Sequence, residues 1–283
     1  MTVLEAIQKS TEFLAKKGVE SPRLQTELLL AHQLKMPRMK LYLNFDRVLT
    51  TPETDGLREL VKRRGLREPL QHITGSTSFC GYEIAVSRHA LIPRPETELL
   101  AELGWQFLVT RHSSPVTALD FGTGTGCIAI PLTAKCPNAK ITALDISSDA
   151  LALAKQNAAQ NQVAERIEFL LGDGFESLAA GTQFDLVISN PPYIASAEIA
   201  TLEPEVRDFD PRGALDGGAD GLDFYRRLAA EAKSFLKSDG KIMVEFGDGQ
   251  AEDIKKIFEA EKWIVEAVQE DYSQRARILV ARL

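Results

Sequence analysis

The chain is poor in the residues that carry metal, redox and membrane chemistry. Only three of its 283 residues are cysteine (Cys80, Cys127, Cys136), and no two form a CxxC pair. An odd, sparse set excludes a disulfide framework, offers no zinc spacing and points to a reducing cytoplasm. The four histidines, His32, His72, His89 and His112, are scattered, so no metal centre is expected. No apolar run approaches the ~18 residues of a membrane span. The opening stretch MTVLEAIQKSTEFLAKKG carries acids and has no apolar h-region, which argues against a signal peptide.

Positive charge is scarce where a nucleic-acid binder would need it. The net charge is −7. Residues 1–70 hold 13 Lys/Arg against 9 Asp/Glu, and the remainder holds 20 against 31. A front piece of +4 therefore precedes a main body of −11, which disfavours direct binding of a phosphate backbone by the main body. The basic run KRRGLR (62–67) reads most simply as a solvated helix face, with contact to an acidic partner as the alternative.

What is present is a globular composition, 44% apolar and 26% charged, enough for one large domain and a small one. Residues 2–17 show helical spacing, closed by Gly18. The stretch from Ser21 offers a serine cap followed by proline, and TPETDGLRELVKRRG repeats that logic with Thr51 and Pro52. Residues 1–73 thus read as a small helical domain. Residues 74–95 read as a β-hairpin linker, with Gly81 near its bend. Residues 96–283 open with a helix from Glu96 to Val109. Seven short strands follow from residue 116, most of them separated by helices expected at 125–135, 149–161, 222–237 and 250–261. Alternation of this kind predicts a doubly wound α/β fold with a seven-stranded, mainly parallel sheet. The final connection, QEDYSQRA, is too short for a parallel crossover, so the last strand is expected to be antiparallel. Residues 194–221 form a long irregular stretch, a length associated with binding loops.

Two strand ends carry chemistry. LDFGTGTGCIAI joins the first strand of the sheet to a helix. Gly122, Gly124 and Gly126 allow a sharp turn and close approach of a ligand to the backbone, at the carboxyl rim where such folds bind ligands. The alternative is a tight turn with close helix packing. Asp145 ends the second strand, placed to bond ribose hydroxyls or simply to start a helix that Ser147 or Ser148 could cap instead. Asp173 follows the third strand, on the far side of the same ligand. The GxGxG spacing weakens a nicotinamide reading and suits an adenosine carrying an amino acid, whose ammonium Asp120 can face. The second strand end is SNPPYIA. Pro191 and Pro192 stiffen the turn, so the Asn190 side-chain carbonyl and the Pro191 backbone carbonyl become a fixed pair of acceptors for a planar NH₂ group. Tyr193 offers a flat face to such a group. Positioning and fixed dipoles then suffice for methyl transfer to a weakly nucleophilic nitrogen. A merely rigid loop exit is the alternative.

The segments REPLQHITG, LIPRPETE, DFGTGTGCIAI, SNPPYI, EPEVRDFDP, ALDGGADGLDFYRRL and EFG together resemble the protein-(glutamine-N5) methyltransferases that modify peptide chain release factors, within the class I S-adenosylmethionine-dependent enzymes. The resemblance spans nearly the whole chain. It implies S-adenosyl-L-methionine as cofactor, a release factor as protein partner, a cytoplasmic location in translation termination, and methylation of the glutamine side-chain amide in a Gly-Gly-Gln loop. It implies cofactor contacts at Asp120, Gly122, Thr123, Gly124, Thr125, Gly126, Asp145, Asp173, Gly174 and Asn190. Substrate contacts fall at Asn190, Pro191, Pro192 and Tyr193, with catalysis by Asn190, Pro191 and Tyr193. Arg94 and Glu96 match its proline–arginine motif and would support substrate near the cleft, or form an ion pair tying hairpin to sheet. Gly174, with Phe175 beyond it, departs from the family's aromatic residue after the third-strand acid, which leaves the adenine-stacking partner open. SQRARI departs from a family Gly-Arg-Asp-Arg pattern. Asn-Pro-Pro-Tyr is shared with enzymes that methylate amino groups of adenine or guanine in DNA or RNA, so that activity is the alternative. A ribosome-associated binding module that keeps a cofactor pocket without catalysis is a third.

Overall fold

The computed structural model describes residues 1–112 and 115–283. The chain divides into two compact units, Met1–Ser76 with Glu203–Phe209, and Thr77–Leu202 with Asp210–Leu283.

The first unit is helical: α1 (Val3–Lys16), α2 (Pro22–Gln33), α3 (Thr51–Gly65) and the short α4 (Leu70–Thr74), with a 3₁₀ turn at Arg38–Leu43. Its core gathers Val3, Ile7, Leu14, Leu29, Leu30, Leu41 and Leu57. Two reciprocal capping boxes start helices, Thr2 with Glu5 on α1 and Thr50 with Glu53 on α3. Each satisfies two otherwise orphaned N–H groups, worth about 1 kcal/mol. The α3 cap is therefore Thr50, one residue before the expected Thr51, because only that spacing sets Glu53 three residues on. Ser21 precedes α2 but makes no side-chain cap; its φ of 45° is left-handed, not the extended backbone that aims an N-cap oxygen into the first turn. The basic run 62–67 is not wholly solvated either. Arg64 is 3% exposed. Its Nη2 donates to Glu205 at 2.7 Å, and Arg67 reaches Glu205 at 2.6 and 2.5 Å and Glu203 at 2.7 Å. Those pairs explain why residues 203–209 of the long loop belong to the helical unit.

In the second unit, β1 (Ser76–Phe79) and β2 (Tyr82–Ala85) form the expected hairpin around Cys80 and Gly81, and α5 (Thr97–Val109) follows. The main sheet holds β3 (Val116–Phe121), β4 (Ala139–Asp145), β5 (Ile167–Leu171), β6 (Phe184–Ser189), β7 (Leu236–Glu245), β8 (Ile264–Glu270) and β9 (Ala276–Arg282). Their order is β5-β4-β3-β6-β7-β9-β8. The first five are parallel, and β9 runs antiparallel to both β7 and β8, as the short last connection requires. Every residue of β6 is buried, the pattern of a strand covered on both faces. Two apolar layers pack the sheet, one with α5 and α6 (Ala129–Lys135), the other with α9 (Asp223–Glu231) and α10 (Ala251–Ala260). The order in which strands are added to the sheet reverses between β3 and β6, so their carboxyl ends open a crevice.

Two helices are shorter than expected. α6 starts at Ala129, not 125, because residues 122–128 form the glycine turn and Asp120 accepts the first helical N–H. α9 stops at Glu231 and tightens into a 3₁₀ turn, Ala232–Phe235, before β7 begins at Leu236. α7 (Ser148–Gln160) and α10 fall within a residue of expectation. No helix among the described residues is long and apolar enough to cross a membrane.

Candidate active site

A cavity of about 250 Å³ lies in the second unit, at the carboxyl rim of the parallel strands. Gly122, Thr123, Gly124, Thr125, Asp145, Asp173, Gly174, Asn190, Pro192 and Arg94 are among its lining residues. Asp120, Gly126, Pro191, Tyr193 and Glu96 are not.

The glycine turn explains its own sequence. Gly122, Gly124 and Gly126 have φ of 75°, 55° and 80°, conformations that strain any L side chain. A Cβ on Gly122 would meet nothing within 4 Å, and on Gly124 only Ala90 at 3.9 Å, so both present bare backbone to open space. A Cβ on Gly126 would approach Ala154 of α7 at 3.2 Å. Two glycines thus serve the cavity and the third serves helix packing. Asp145 holds the turn: its Oδ2 accepts from Gly124 N at 2.8 Å and its Oδ1 from Ser147 N at 2.9 Å. Ser147, not Asp145, caps α7, with Oγ accepting from Ala150 N. Each carboxylate oxygen of Asp145 keeps a lone pair for a ligand hydroxyl.

Asp120 is fully buried behind the turn. Its Oδ2 accepts from Thr123 Oγ1 at 2.6 Å and Ala129 N at 3.1 Å, while Oδ1 has no partner. Burial pushes its carboxyl up to about 7, against the pull of those two bonds. A buried carboxylate oxygen without a donor is costly. Asp173, largely exposed, pairs with Arg227 at 2.7 Å, and Arg227 also reaches Glu176 and Glu231. The arginine's guanidinium fills the space a side chain on Gly174 would need.

At the other strand end, Ser189 Oγ donates to Phe121 O at 2.7 Å, locking the rim of β6 to that of β3. Asn190 Nδ2 donates to Thr97 Oγ1 at 3.1 Å. Glu245, the last residue of β7, is 3% exposed, its Oε2 has no partner, and burial, chiefly, raises its carboxyl to about 7. Tyr193 has its carbonyl held by Gln250 Nε2 at 2.9 Å and its ring against Gly247. Arg94 pairs with Asp210 at 2.6 Å, and Asp210 is almost fully buried. Arg94 therefore anchors the long loop rather than tying hairpin to sheet, and the loop residues next to that anchor, Pro211, Gly213 and Ala214, line the cavity.

Family profiles match two parts of the chain: the PrmC N-terminal domain at residues 5–75, and the methyltransferase small domain at residues 101–203. A release factor glutamine methyltransferase of Geobacter sulfurreducens is 43% identical over 91% of this chain and 88% of its own length. One from Nitratidesulfovibrio vulgaris is 38% identical over 99% of this chain and 95% of its own. The chain belongs to the release factor glutamine methyltransferase family. Among solved structures, the hMettl16 catalytic domain in complex with MAT2A 3'UTR hairpin 6 matches with a TM-score of 0.56 at 17% identity, over 79% of this chain and 82% of that one, a likeness of fold alone.

For this family member, sequence reasoning passed over Thr97, Glu245, Asp210 and Arg227. Glu245 had a signal: a carboxylate closing the apolar strand IMVE is costly to bury. Asp210 and Arg227 lie in segments quoted for their likeness to the family, yet their partners, Arg94 and Asp173, are 116 and 54 residues away. Periodicity cannot show pairs of that separation.

Proposed function

We propose that the protein transfers a methyl group from S-adenosyl-L-methionine to the side-chain amide nitrogen of glutamine in the Gly-Gly-Gln motif of peptide chain release factors. The observation that carries this reading is the joint rim of β3, β4 and β6. There a turn of bare glycine backbone and two aspartates adjoin an asparagine held by its own amide nitrogen.

The residues fit the cofactor. The partnerless Asp120 Oδ1 suits a positive group, and ionisation of this carboxyl is favoured when such a group arrives. Asp145 and the open faces of Gly122 and Gly124 suit a ribose and its attached chain. When bound, the cofactor supplies an electrophilic methyl group on a sulfonium. The protein's own part is positioning. The Asn190 side-chain carbonyl and the Pro191 carbonyl accept the two N–H groups of the target amide, and so orient its nitrogen and stabilise the positive charge that grows there. Pro192 fixes the turn, and Tyr193, braced by Gln250 and Gly247, presents its ring to the carboxamide. Arg94 holds the loop at the cavity mouth through Asp210, with Glu96 on the same segment toward the substrate. The helical unit is the recognition domain for the release factor, and its location is cytoplasmic.

The test is incubation of the purified protein with methyl-labelled cofactor and purified release factor, followed by mass spectrometry of the Gly-Gly-Gln peptide. A gain of one methyl group on the glutamine is expected. Label on RNA or DNA in place of the peptide, or on neither, overturns the reading.

A further inference from the structure

We infer that Gln250 is a positioning residue for methyl transfer: its amide clamps the Asn190–Tyr193 turn onto a seat made by the glycines of the ALDGGADG segment. The inference rests on the reading of that turn as the acceptor for the target carboxamide.

The turn has a holding problem. Neither Pro191 nor Pro192 has an N–H to donate. Their rings fix φ, but they do not fix where the turn sits on the rim of the sheet. It has to be held through its carbonyls and through the residues that follow. Those residues pair with the glycine-rich segment as a short parallel ladder, Ile194 beside Asp216. Ile194 N donates to Leu215 O at 3.0 Å, Gly217 N to Ile194 O at 2.8 Å, and Ser196 N to Gly218 O at 2.9 Å. The seat is itself anchored, since Gly217 O accepts from Asp223 N at the start of α9 at 3.1 Å.

The seat has to be glycine because it lies against backbone. A Cβ on Gly217 would stand 2.8 Å from Pro192 O, and one on Gly221 would collide with Tyr193 O. Gly221 also has φ of 77°, whereas Gly217 is not among the glycines of positive φ, so at Gly217 space alone is the requirement. From the other side, a Cβ on Gly247 would stand 2.9 Å from the Tyr193 ring. Gln250, the residue before α10, joins these pieces. Its Oε1 accepts from Gly247 N at 2.9 Å, and its Nε2 donates to Tyr193 O at 2.9 Å and to Gly221 O at 3.4 Å. One N–H and two carbonyls as neighbours permit a single orientation of the amide, because the reverse would set donor against donor and oxygen against oxygen. Gln250, Gly217, Gly221 and Gly247 do not line the cavity. Their influence on the reaction passes through the turn, whose Asn190 and Pro191 carbonyls keep their direction only while the turn keeps its seat. A displacement of about 1 Å at such a site costs on the order of 100-fold in rate.

The experiment uses the full chain with purified release factor and labelled cofactor. It compares Gln250→Ala, Gln250→Glu and Gly217→Ala with wild type. Gln250→Ala is expected to lower kcat about 10- to 100-fold, with cofactor Kd changed by less than about twofold. Gln250→Glu keeps an acceptor for Gly247 N but sets an oxygen against Tyr193 O, and its kcat at pH 8 should be no higher than that of Gln250→Ala. Gly217→Ala adds volume against Pro192 O and should lower kcat about 10-fold, again without loss of cofactor affinity. A readout independent of activity is the Tyr193 carbonyl resonance. Tyr193-Ile194 is the only Tyr-Ile pair in the sequence, so carbonyl-¹³C tyrosine combined with ¹⁵N isoleucine selects it. It should move in both Gln250 variants as the bond from Nε2 is lost. A kcat for Gln250→Ala within about threefold of wild type, a cofactor affinity that falls as far as kcat, a Gln250→Glu variant as active as wild type, or an unmoved Tyr193 resonance overturns the inference. Should wild type itself fail to label the release factor, the functional reading falls, and the resonance still decides whether Gln250 seats the turn. Should Gln250→Ala not fold, Gln250→Glu and Gly217→Ala decide it by the same readouts.

Discussion

The β3–β4 side of the cavity and its β6–β7 side hold their polar atoms by different means. On the first side the backbone is shaped by glycines of positive φ, and carboxylates accept from main-chain N–H groups: Asp145 from Gly124 and Ser147, Asp120 from Ala129. On the second side side chains do the holding, Asn190 on Thr97 Oγ1 and Ser189 on the Phe121 carbonyl. Each side also buries one carboxylate with a partnerless oxygen, Asp120 Oδ1 and Glu245 Oε2, and both are pushed up to about 7. The difference teaches where tolerance lies. A backbone cradle tolerates side-chain change but not a new Cβ. A side-chain relay tolerates backbone shifts, yet fails when a single hydroxyl or amide is replaced.

The largest effect should separate the two sides. Asn190→Ala is expected to lower kcat for methyl transfer about 100- to 1,000-fold, with cofactor Kd, read by calorimetry, unchanged within about threefold. A parallel collapse of cofactor affinity would show that the sides are not separable. Next, Asp120→Asn should weaken cofactor binding about 10-fold or more, since a charge-assisted bond is lost. The same change should raise the Tm of the ligand-free protein at pH 8 by a few degrees. The sign follows from the buried carboxyl. Its folded value, about 7, lies above its ordinary 3.8, so the folded state resists ionisation. The stability this group retains below its ordinary value is lost as pH rises toward the folded value, and asparagine does not lose it. The Tm gap between variant and wild type should therefore shrink as pH falls from 8 to 4, and a gap independent of pH would contradict the assignment.

A smaller effect concerns the loop that serves both sides. Arg94→Met leaves Asp210 buried without its cation, and is expected to destabilise the protein by about 1–2 kcal/mol and to raise KM for the release factor more than it lowers kcat, as steady-state kinetics would show. The smallest should be Ser189→Ala, which removes the bond between the rims of β6 and β3. A loss of about 1 kcal/mol in chemical denaturation, with near-normal kcat, is expected. A kcat loss as large as that of Asn190→Ala would mean that the two sides are coupled through the sheet itself.

The glycine turn was readable in advance because its requirement is local: three glycines in five residues have few uses. The same local reading placed Asn190 at a strand end and found the alternation of the sheet and the antiparallel last strand. It could not divide the glycines into Gly122 and Gly124, open to the cavity, and Gly126, packed on Ala154, since that needs the neighbouring helix. It assigned the KRRGLR run to solvent, because the acids that draw in Arg64 and Arg67 stand about 140 positions later. It placed the start of α2 at Ser21 and Pro22, yet Ser21 makes no side-chain cap, and it set the α3 cap at Thr51, one residue after Thr50, where backbone conformation or spacing decided.

Local chemistry, then, was settled by the amino-acid order itself: which segments become strands or helices, where proline stiffens a turn, where glycine must stand, and which family the motifs resemble. Those outcomes depend on residues within a few positions of one another. Tertiary structure alone decided the partners of the charged and polar groups: Arg94 with Asp210, Arg227 with Asp173, Thr97 with Asn190. Hydrogen bonds and ion pairs act over about 3 Å, and only the folded chain brings the end of β6 and the start of α5 within that reach.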